Sequence, residues 1–559
     1  MSDNKNDVLT HPTRRQVMGQ TLGLMALRAS GVVFSGVPGF SQALAAGEKS
    51  IKGQLIISFS QEPTVFNPHM PHIEVDDGIH FSLFDPLFYV DPEGKFVAAL
   101  AAEVPTVENG GISADGLTWK VKLREGVKWH DGAPFTAEDV KATFELLVNP
   151  DFRSWRKTGH DLIRDLKVVS PTEITWRMEK AFAPYPSILA STFITPKHLM
   201  SASADPNNAP FNNAPVGTGP FKWVERVAGD HITLEANADY FAEGPYVERL
   251  IYKYIPDLNV MYTQFKAGDI DVLGLQWITP DHYEEAKDLP GMTVSVVPAA
   301  TVESFSFNMD RPQFKDPAVR EALYAAIDKA AIIDALYYGL PAPTETYMPQ
   351  QSFYYNPDLP KQAYDIDKAK ELLDTAGWAP GPDGIRAKDG VKLAFTCSTT
   401  AGNHIREQVQ QYIQQSFKDL GVEMSISNLP PAVMWGEYWM MSKFDTVIVG
   451  LNFLTGSDPD TSDYFRSTSI PAKGGAGQNT WQYANPEVDA LLAKGGEVFV
   501  PEERKAAYAK VQEIMRKDLP FLPLFQYATV QGNKQGIEGI NPNVNTRINT
   551  WNVGMWRRA

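Results

Sequence analysis

The sequence predicts an α/β protein of two or three domains. Three observations carry this. The chain has 559 residues, more than a single hydrophobic core holds. Its second half alternates strand-like and helix-like segments with short links. Its first half reads as strands and irregular loops with short helices, densely punctuated by Pro and Gly.

The elements follow in order. "GQLIISFS" and "HITLEANADY" read as strands. Trp119, Val121 and Leu123 alternate with Lys120, Lys122 and Arg124, the period of a half-buried strand. Asp131-Gly132 is turn chemistry, since glycine accepts positive φ and aspartate bonds its own backbone. Thr136 with Asp139 three residues later forms a capping box, and Val140, Phe144 and Leu147 give the helix one apolar face. From about residue 305 the texture changes. "DPAVREALYAAIDKAAIIDALYYGL" reads as one long helix, with Asp316 as cap, Pro317 at the first helical position and Gly339 as stop. "KLAFTCS" is a strand. "HIREQVQQYIQQSFKDLG" is a helix with Ile405, Val409, Tyr412 and Ile413 on one face, and "VEMSIS" and "FDTVIVGL" are strands. Strand–helix–strand with short links implies parallel pairing through right-handed crossovers.

Composition narrows the class. Apolar residues at 43% and charged residues at 21% describe an ordinary globular protein. A formal charge of −16 argues against a nucleic-acid partner. Cys397 is the sole cysteine, which excludes an intrachain disulfide and a thiolate metal cluster; in its strand-like setting it reads as a buried, inert thiol. At the N-terminus, Arg14-Arg15 precede a moderately apolar stretch, and Ala43-Leu44-Ala45 offers a signal-peptidase site. Residues 1–45 therefore resemble a twin-arginine export signal, and the mature chain is expected free in the periplasm.

Catalytic and metal motifs fail one by one. His130-Asp131 has the residue types of a general-base dyad, but it lacks a nearby nucleophile and sits in a turn. Gly217-Thr218-Gly219-Pro220 lacks the rest of a phosphate loop, and Pro220 has no amide to donate. Asp458, Asp460 and Asp463 lack the glycine and terminal glutamate of a calcium loop. His69, His72 and His80 are metal-ligand types, but the sequence names no group to orient them. No metal and no cofactor is expected.

The motifs also form an ordered series. "DGLTWKVKLREGVKWHDGAPFTAEDV" resembles the signature region of family 5 extracellular solute-binding proteins, the dipeptide, oligopeptide and nickel class of ABC importers. "APVGTGPFKWVERVAGDHITLEANADYF", "YTQFKAGDIDV", "FSFNMDRPQFKDPAVREALYAAIDK", "NPEVDALL" and "FLPLF" resemble its later segments in the same order. The resemblance covers about residues 55–526. It implies a type II-like Venus flytrap of the periplasmic binding proteins, two lobes plus an extra subdomain. Lobe I is then 46–88, 210–304 and 527–559, the subdomain 89–209 and lobe II 305–526, with hinge crossings near Ser304–Asn308 and Leu524–Gln526. The signature turn is scaffold in that family, so His130 is expected to be structural. The implied partners are a small-molecule or short-peptide ligand and ABC permease subunits of the inner membrane, with the binding protein a monomer. A secreted hydrolase and a sensor-coupled binding protein are the competing classes.

The ligand chemistry departs from the dipeptide pattern. Dipeptide-binding members hold the α-ammonium with an aspartate after a Gly-Trp strand end. Here the stretch is "GLNFLTGSDPD": Leu451 replaces the tryptophan, and the aspartate position falls near Thr455. Asp458 and Asp460 match the family's Asp-Pro-Asp. Asn452, Thr455 and Asp458 are the candidates of this loop, and Asn308 that of the hinge. Trp277, Trp435, Trp481 and Tyr483 are candidate stacking platforms, which would suit sugars or opine-like conjugates, with Trp481 the first choice. Gln61, Glu62 and Asn67 follow the first strand, where the family contacts ligand.

Overall fold

The computed structural model describes residues 51–274, 278–452, 458–546 and 548–559. Its elements begin with β1 (Gln54–Phe59) and α1 (Glu74–Leu83). β2 (Thr118–Lys122), α2 (Ala137–Val148), β3 (Ile163–Ser170) and β4 (Glu173–Met178) build a separate antiparallel sheet in the order β2-β4-β3. Then come β5 (Phe221–Val227), β6 (His231–Ala236), β7 (Arg249–Tyr254) and β8 (Val272–Leu273). The sixteen-residue β9 (Met292–Phe307) leads into α3 (Pro317–Ala325) and α4 (Lys329–Tyr337). β10 (Ala394–Ser398), α5 (His404–Asp419), β11 (Glu423–Ile426), β12 (Thr446–Asn452), α6 (Pro501–Asp518) and β13 (Phe521–Lys534) complete the frame.

The main sheet runs β11-β10-β12-β9-β13-β8-β1-β7-β6-β5. β9 and β13 pair antiparallel from Met292↔Lys534 to Ser306↔Phe521, and their register shifts between Pro298 and Val302. Beyond the shift, Thr301–Phe307 of β9 pairs with β12; before it, Asn533 of β13 pairs with β8. The two long strands thus belong to both lobes and cross between them. The register shifts at 298–302 against 526–528 and again at Glu303–Ser304, next to the expected crossings at Ser304–Asn308 and Leu524–Gln526. Ser304 is buried within β9, and Asn308 is buried just after its end. The bulge, where pairing is interrupted, is the softer point.

Strand direction places the ligand site. β12 is antiparallel to β9 and ends at Asn452 opposite Thr301, and β10 is parallel to β12. β8 is antiparallel to β13 and parallel to β1. The parallel strands of both lobes therefore run toward the crossing, and their carboxyl ends converge there. That is where open α/β sheets hold ligands.

Local sequence accounts for most elements. Trp119, Val121 and Leu123 are buried while Lys120 and Lys122 are exposed, and Trp119 stacks on Trp176 across the β2–β4 pair at 5.7 Å. The Thr136–Asp139 capping box is present. Cys397 is fully buried, and burial pushes its thiol up to about 11. His130 is scaffold: its Nδ1 accepts from Gly217 N at 3.1 Å and its Nε2 donates to Gly219 O at 3.0 Å. Burial lowers its pKa to about 4, which keeps the neutral tautomer. Gly217 must be glycine, since a Cβ there would lie 1.7 Å from Leu83 O.

Two helix expectations change. The predicted single helix after Asp316 is α3 and α4, because Asp328 caps a new helix by accepting from Ala331 N. In α5, Tyr412 faces outward and Gln410 and Phe417 are buried with Val409 and Ile413. Among the described residues no helix is long and apolar enough to cross a membrane.

Candidate functional site

A cavity of about 150 Å³ lies at the crossing. Its walls are Val297–Thr301 and Thr529 of the long strands, the strand ends Gly274 and Asn452, Glu74 at the start of α1, and Asn543, Thr546 and Asn549 of the C-terminal tail. Asn452 was expected here; the tail residues and Glu74 were not. No motif marks them; the tail residues reach the cavity only when the chain after β13 folds back across lobe I.

Asn549 has the most specific geometry. Its Nδ2 donates to Leu273 O at 3.0 Å and to Gly274 O at 2.8 Å. Carbonyls only accept, so the amide orientation is set. Its Oδ1 is buried and has no hydrogen-bond partner. A buried acceptor left unpaired costs about 1–3 kcal/mol, so this amide is held in place by its two Nδ2 bonds rather than by its oxygen. Glu74 is the one charged side chain on the wall among the described residues.

Behind β12 a buried ion pair braces the crossing. Glu303 of β9 accepts from Arg406 Nε at 2.6 Å and Nη2 at 2.9 Å, and from Tyr527 Oη at 2.9 Å. Burial disfavours the Arg406 charge, but Glu303 outweighs it and raises the pKa. Burial and then the Glu303 charge hold the Tyr527 hydroxyl well above the usual range. Arg406 stands in the first turn of α5, capped by Asn403.

The other sequence candidates scatter. Trp481 is 0% exposed, with its ring 5.9 Å from Trp439, 5.6 Å from Phe465 and 5.5 Å from Phe521. It is a core residue of lobe II, and the stacking-platform expectation is corrected. Tyr483 is buried and donates to Asp518 at 2.5 Å. Asp458 is buried in a bidentate pair with Arg504, at 2.7 and 2.9 Å. Its charge is committed inside lobe II. Asn308 spends its Nδ2 on Ser442 O and Phe444 O. Asn67 bonds Asn212 and His69 N, and so organises its own loop. Glu62 pairs with Arg226 at 2.6 Å and accepts from Gly229 N. Gln61 stays exposed at the end of β1. Trp435 is 39% exposed and meets Trp439 edge-on at 5.7 Å. Trp277 and Thr455 lie outside the described residues, as does the segment carrying Arg14-Arg15.

Comparison with known proteins agrees with this architecture. Residues 95–473 match the family of bacterial extracellular solute-binding proteins, family 5. The oligopeptide-binding protein AppA of Bacillus subtilis is 28% identical over 526 residues, 92% of this chain and 93% of that protein. The structure of AppA with a nonapeptide aligns with a TM-score of 0.72, at 27% identity, covering 92% of this chain and all of that one. The glutathione-binding protein GsiB of Salmonella typhimurium is 27% identical, covering 90% of this chain and 94% of its own. NikZ of Campylobacter jejuni, solved with Ni(L-His), aligns with a TM-score of 0.74 at 27% identity, over 91% of this chain and all of that one. The chain belongs to family 5 of the bacterial extracellular solute-binding proteins. This is a non-enzymatic class that works outside the cytoplasm.

Proposed function

We propose that this protein is the periplasmic solute-binding component of an ABC importer and that its solute is peptide-like. The observation that carries this is the polar cavity where the strand ends of both lobes meet, with Glu74, Asn543 and Asn549 in its wall. A solute carrying N–H groups or an α-ammonium suits a wall of asparagine and threonine side chains with one glutamate. The relatives named for oligopeptides and glutathione support the same class. In this reading Asn549 and Glu74 take the role that the Thr455 position leaves without a carboxylate.

A solute touching both lobes binds the closed form better, and only that difference drives closure. Moving the population from mostly open to mostly closed takes about 5 kcal/mol of preference. The bulge at Pro298–Val302 is where the two long strands bend, with 46–88, 210–304 and 527–559 acting as lobe I and 305–526 as lobe II. The closed monomer is the form a permease recognises. Export runs through the twin-arginine route. An opine or oligosaccharide solute rested on aromatic platforms, and the burial of Trp481 and Tyr483 removes two of them.

The test is mass spectrometry of ligand released from purified protein, then calorimetry with the identified compound and a panel of di-, tri- and longer peptides and glutathione. The expected result is micromolar or tighter binding of a peptide-like compound, weakened about ten- to hundredfold by Asn549→Ala. A released sugar, with no peptide or glutathione binding, overturns the assignment.

A further inference from the structure

On the same helix start as Glu74 of the cavity wall, three side chains of metal-ligating type meet beside Trp155. One ligating atom each of His72, Asp77 and His80 lies within 4.8 Å of the other two. His72 Nδ1 is 2.8 Å from Met70 O, and His80 Nε2 is 2.8 Å from Val65 O. A carbonyl only accepts, so both of these nitrogens carry hydrogen. That leaves His72 Nε2 and His80 Nδ1 directed at the same carboxylate. They stand 2.9 Å and 3.6 Å from Asp77 Oδ1. Metal-ligating histidines are held in this way, with the second ring nitrogen donating to a carbonyl that sets tautomer and orientation.

Proton sharing alone leaves the cluster incomplete. One bridging hydrogen satisfies His72 and Asp77, but His80 is 0% exposed and its Nδ1 has no hydrogen-bond partner. At 3.6 Å from Asp77 Oδ1 this nitrogen is within ion-pair range but beyond a good hydrogen bond, which is costly for a buried group. A cation at about 2.1 Å from each donor places the donors about 3.0 Å apart at right angles and about 3.4 Å apart in a tetrahedron. The two carboxylate separations need shifts of up to about 0.5 Å to fit, and the two imidazole nitrogens, within 4.8 Å of each other, close by up to about 1.4 Å when a tetrahedral ion binds.

The surroundings are built for enclosure. Asp76 accepts from Thr64 N, Val65 N and Ile73 N, which ties the 64–73 loop to α1. The Trp155 ring covers His72 at 4.9 Å, and Trp155 N donates to His69 O at 2.8 Å. Asp77 keeps 21% exposure, an opening for a water as the fourth ligand. His69 lies outside the trio.

We propose that His72, Asp77 and His80 bind one divalent transition-metal ion of the zinc, nickel or cobalt type, which fastens the loop before α1 to the helix itself. Nitrogen and carboxylate donors in this ratio suit such borderline ions over calcium or magnesium. The three ligands are not among the residues lining the solute cavity, and the proposal does not depend on the solute assignment.

The experiment uses the whole mature protein, stripped with a chelator and dialysed. Cobalt(II) alone is titrated in while its visible absorption bands are followed, and zinc bound after desalting is counted by elemental analysis. The expected result is one equivalent per chain, a raised melting temperature, and at least about a hundredfold weaker binding in His72→Gln. X-ray absorption of the zinc-loaded wild type should count two imidazoles, a readout that requires no variant to fold; Asp77→Asn serves as the second variant. Less than a tenth of an equivalent bound, an absorption spectrum without imidazole, or undiminished binding in both variants overturns the proposal.

Discussion

Glu303→Gln tests the brace at the crossing. Glu303 is 0% exposed, and the Arg406 side chain is 12% exposed. The substitution keeps the shape and removes the charge. Both Arg406 nitrogens and the Tyr527 hydroxyl donate to this carboxylate. A glutamine must turn its NH₂ toward one of these donors, so a favourable contact becomes a repulsive one, and the guanidinium remains buried without a counter-charge. Breaking a buried pair from one side costs about 3–5 kcal/mol. Urea denaturation followed by tryptophan fluorescence should show a midpoint lowered by that amount divided by an unchanged m-value. The double variant Glu303→Leu with Arg406→Met should cost far less than the two single changes together, because an apolar pair of similar volume has no charge to desolvate. A loss below about 1 kcal/mol in Glu303→Gln, or strict additivity in the double variant, refutes the reasoning.

Other outcomes follow from the same packing. Gly450→Ala should cost about 1–3 kcal/mol by overpacking, since its Cβ would lie 2.7 Å from both Arg406 Nη2 and Glu303 Oε2; thermal melts measure it. Trp481→Ala should cost about 3–5 kcal/mol of stability and leave the affinity of the still-folded protein within about threefold; a hundredfold loss in calorimetry at unchanged stability would restore the platform. His160 is buried and neutral, its pKa lowered to about 3 by burial first and then by its charged-state repulsion with His69 and Arg156. The unfolded chain takes up that proton first, so stability is full above about pH 6.5 and falls as pH drops toward 3; at pH 4.5 the loss is about 2–3 kcal/mol, and His160→Gln should flatten this slope in urea titrations across pH. Replacing Arg14 and Arg15 by lysine should strand precursor in the cytoplasm, and normal export in fractionation would refute the twin-arginine reading.

By itself the sequence determined the local physics and the family. The alternation of Trp119, Val121 and Leu123, the Thr136–Asp139 cap and the strand–helix–strand run from Ala394 to Asn452 depend on neighbours in the chain, and the structure holds them as read. The motif series from Leu55 to Gln526 was enough to name the solute-binding class. Only the tertiary structure decided which polar and aromatic residues face the cleft. Trp481 and Tyr483 look like platforms in sequence, yet aromatic rings serve a core equally well, and Phe465, Phe521 and Asp518 claim them. Asp458 looks like a ligand contact until Arg504, 46 residues away, takes both its oxygens. Asn549 and Glu74 carry no local signal, because their place in the cavity wall depends on contacts more than 250 residues apart along the chain, such as Asn549 with Leu273 and Gly274. Periodicity and capping act over a few residues, and sequence reveals them. Burial and convergence act between distant segments, and only the folded chain brings those together.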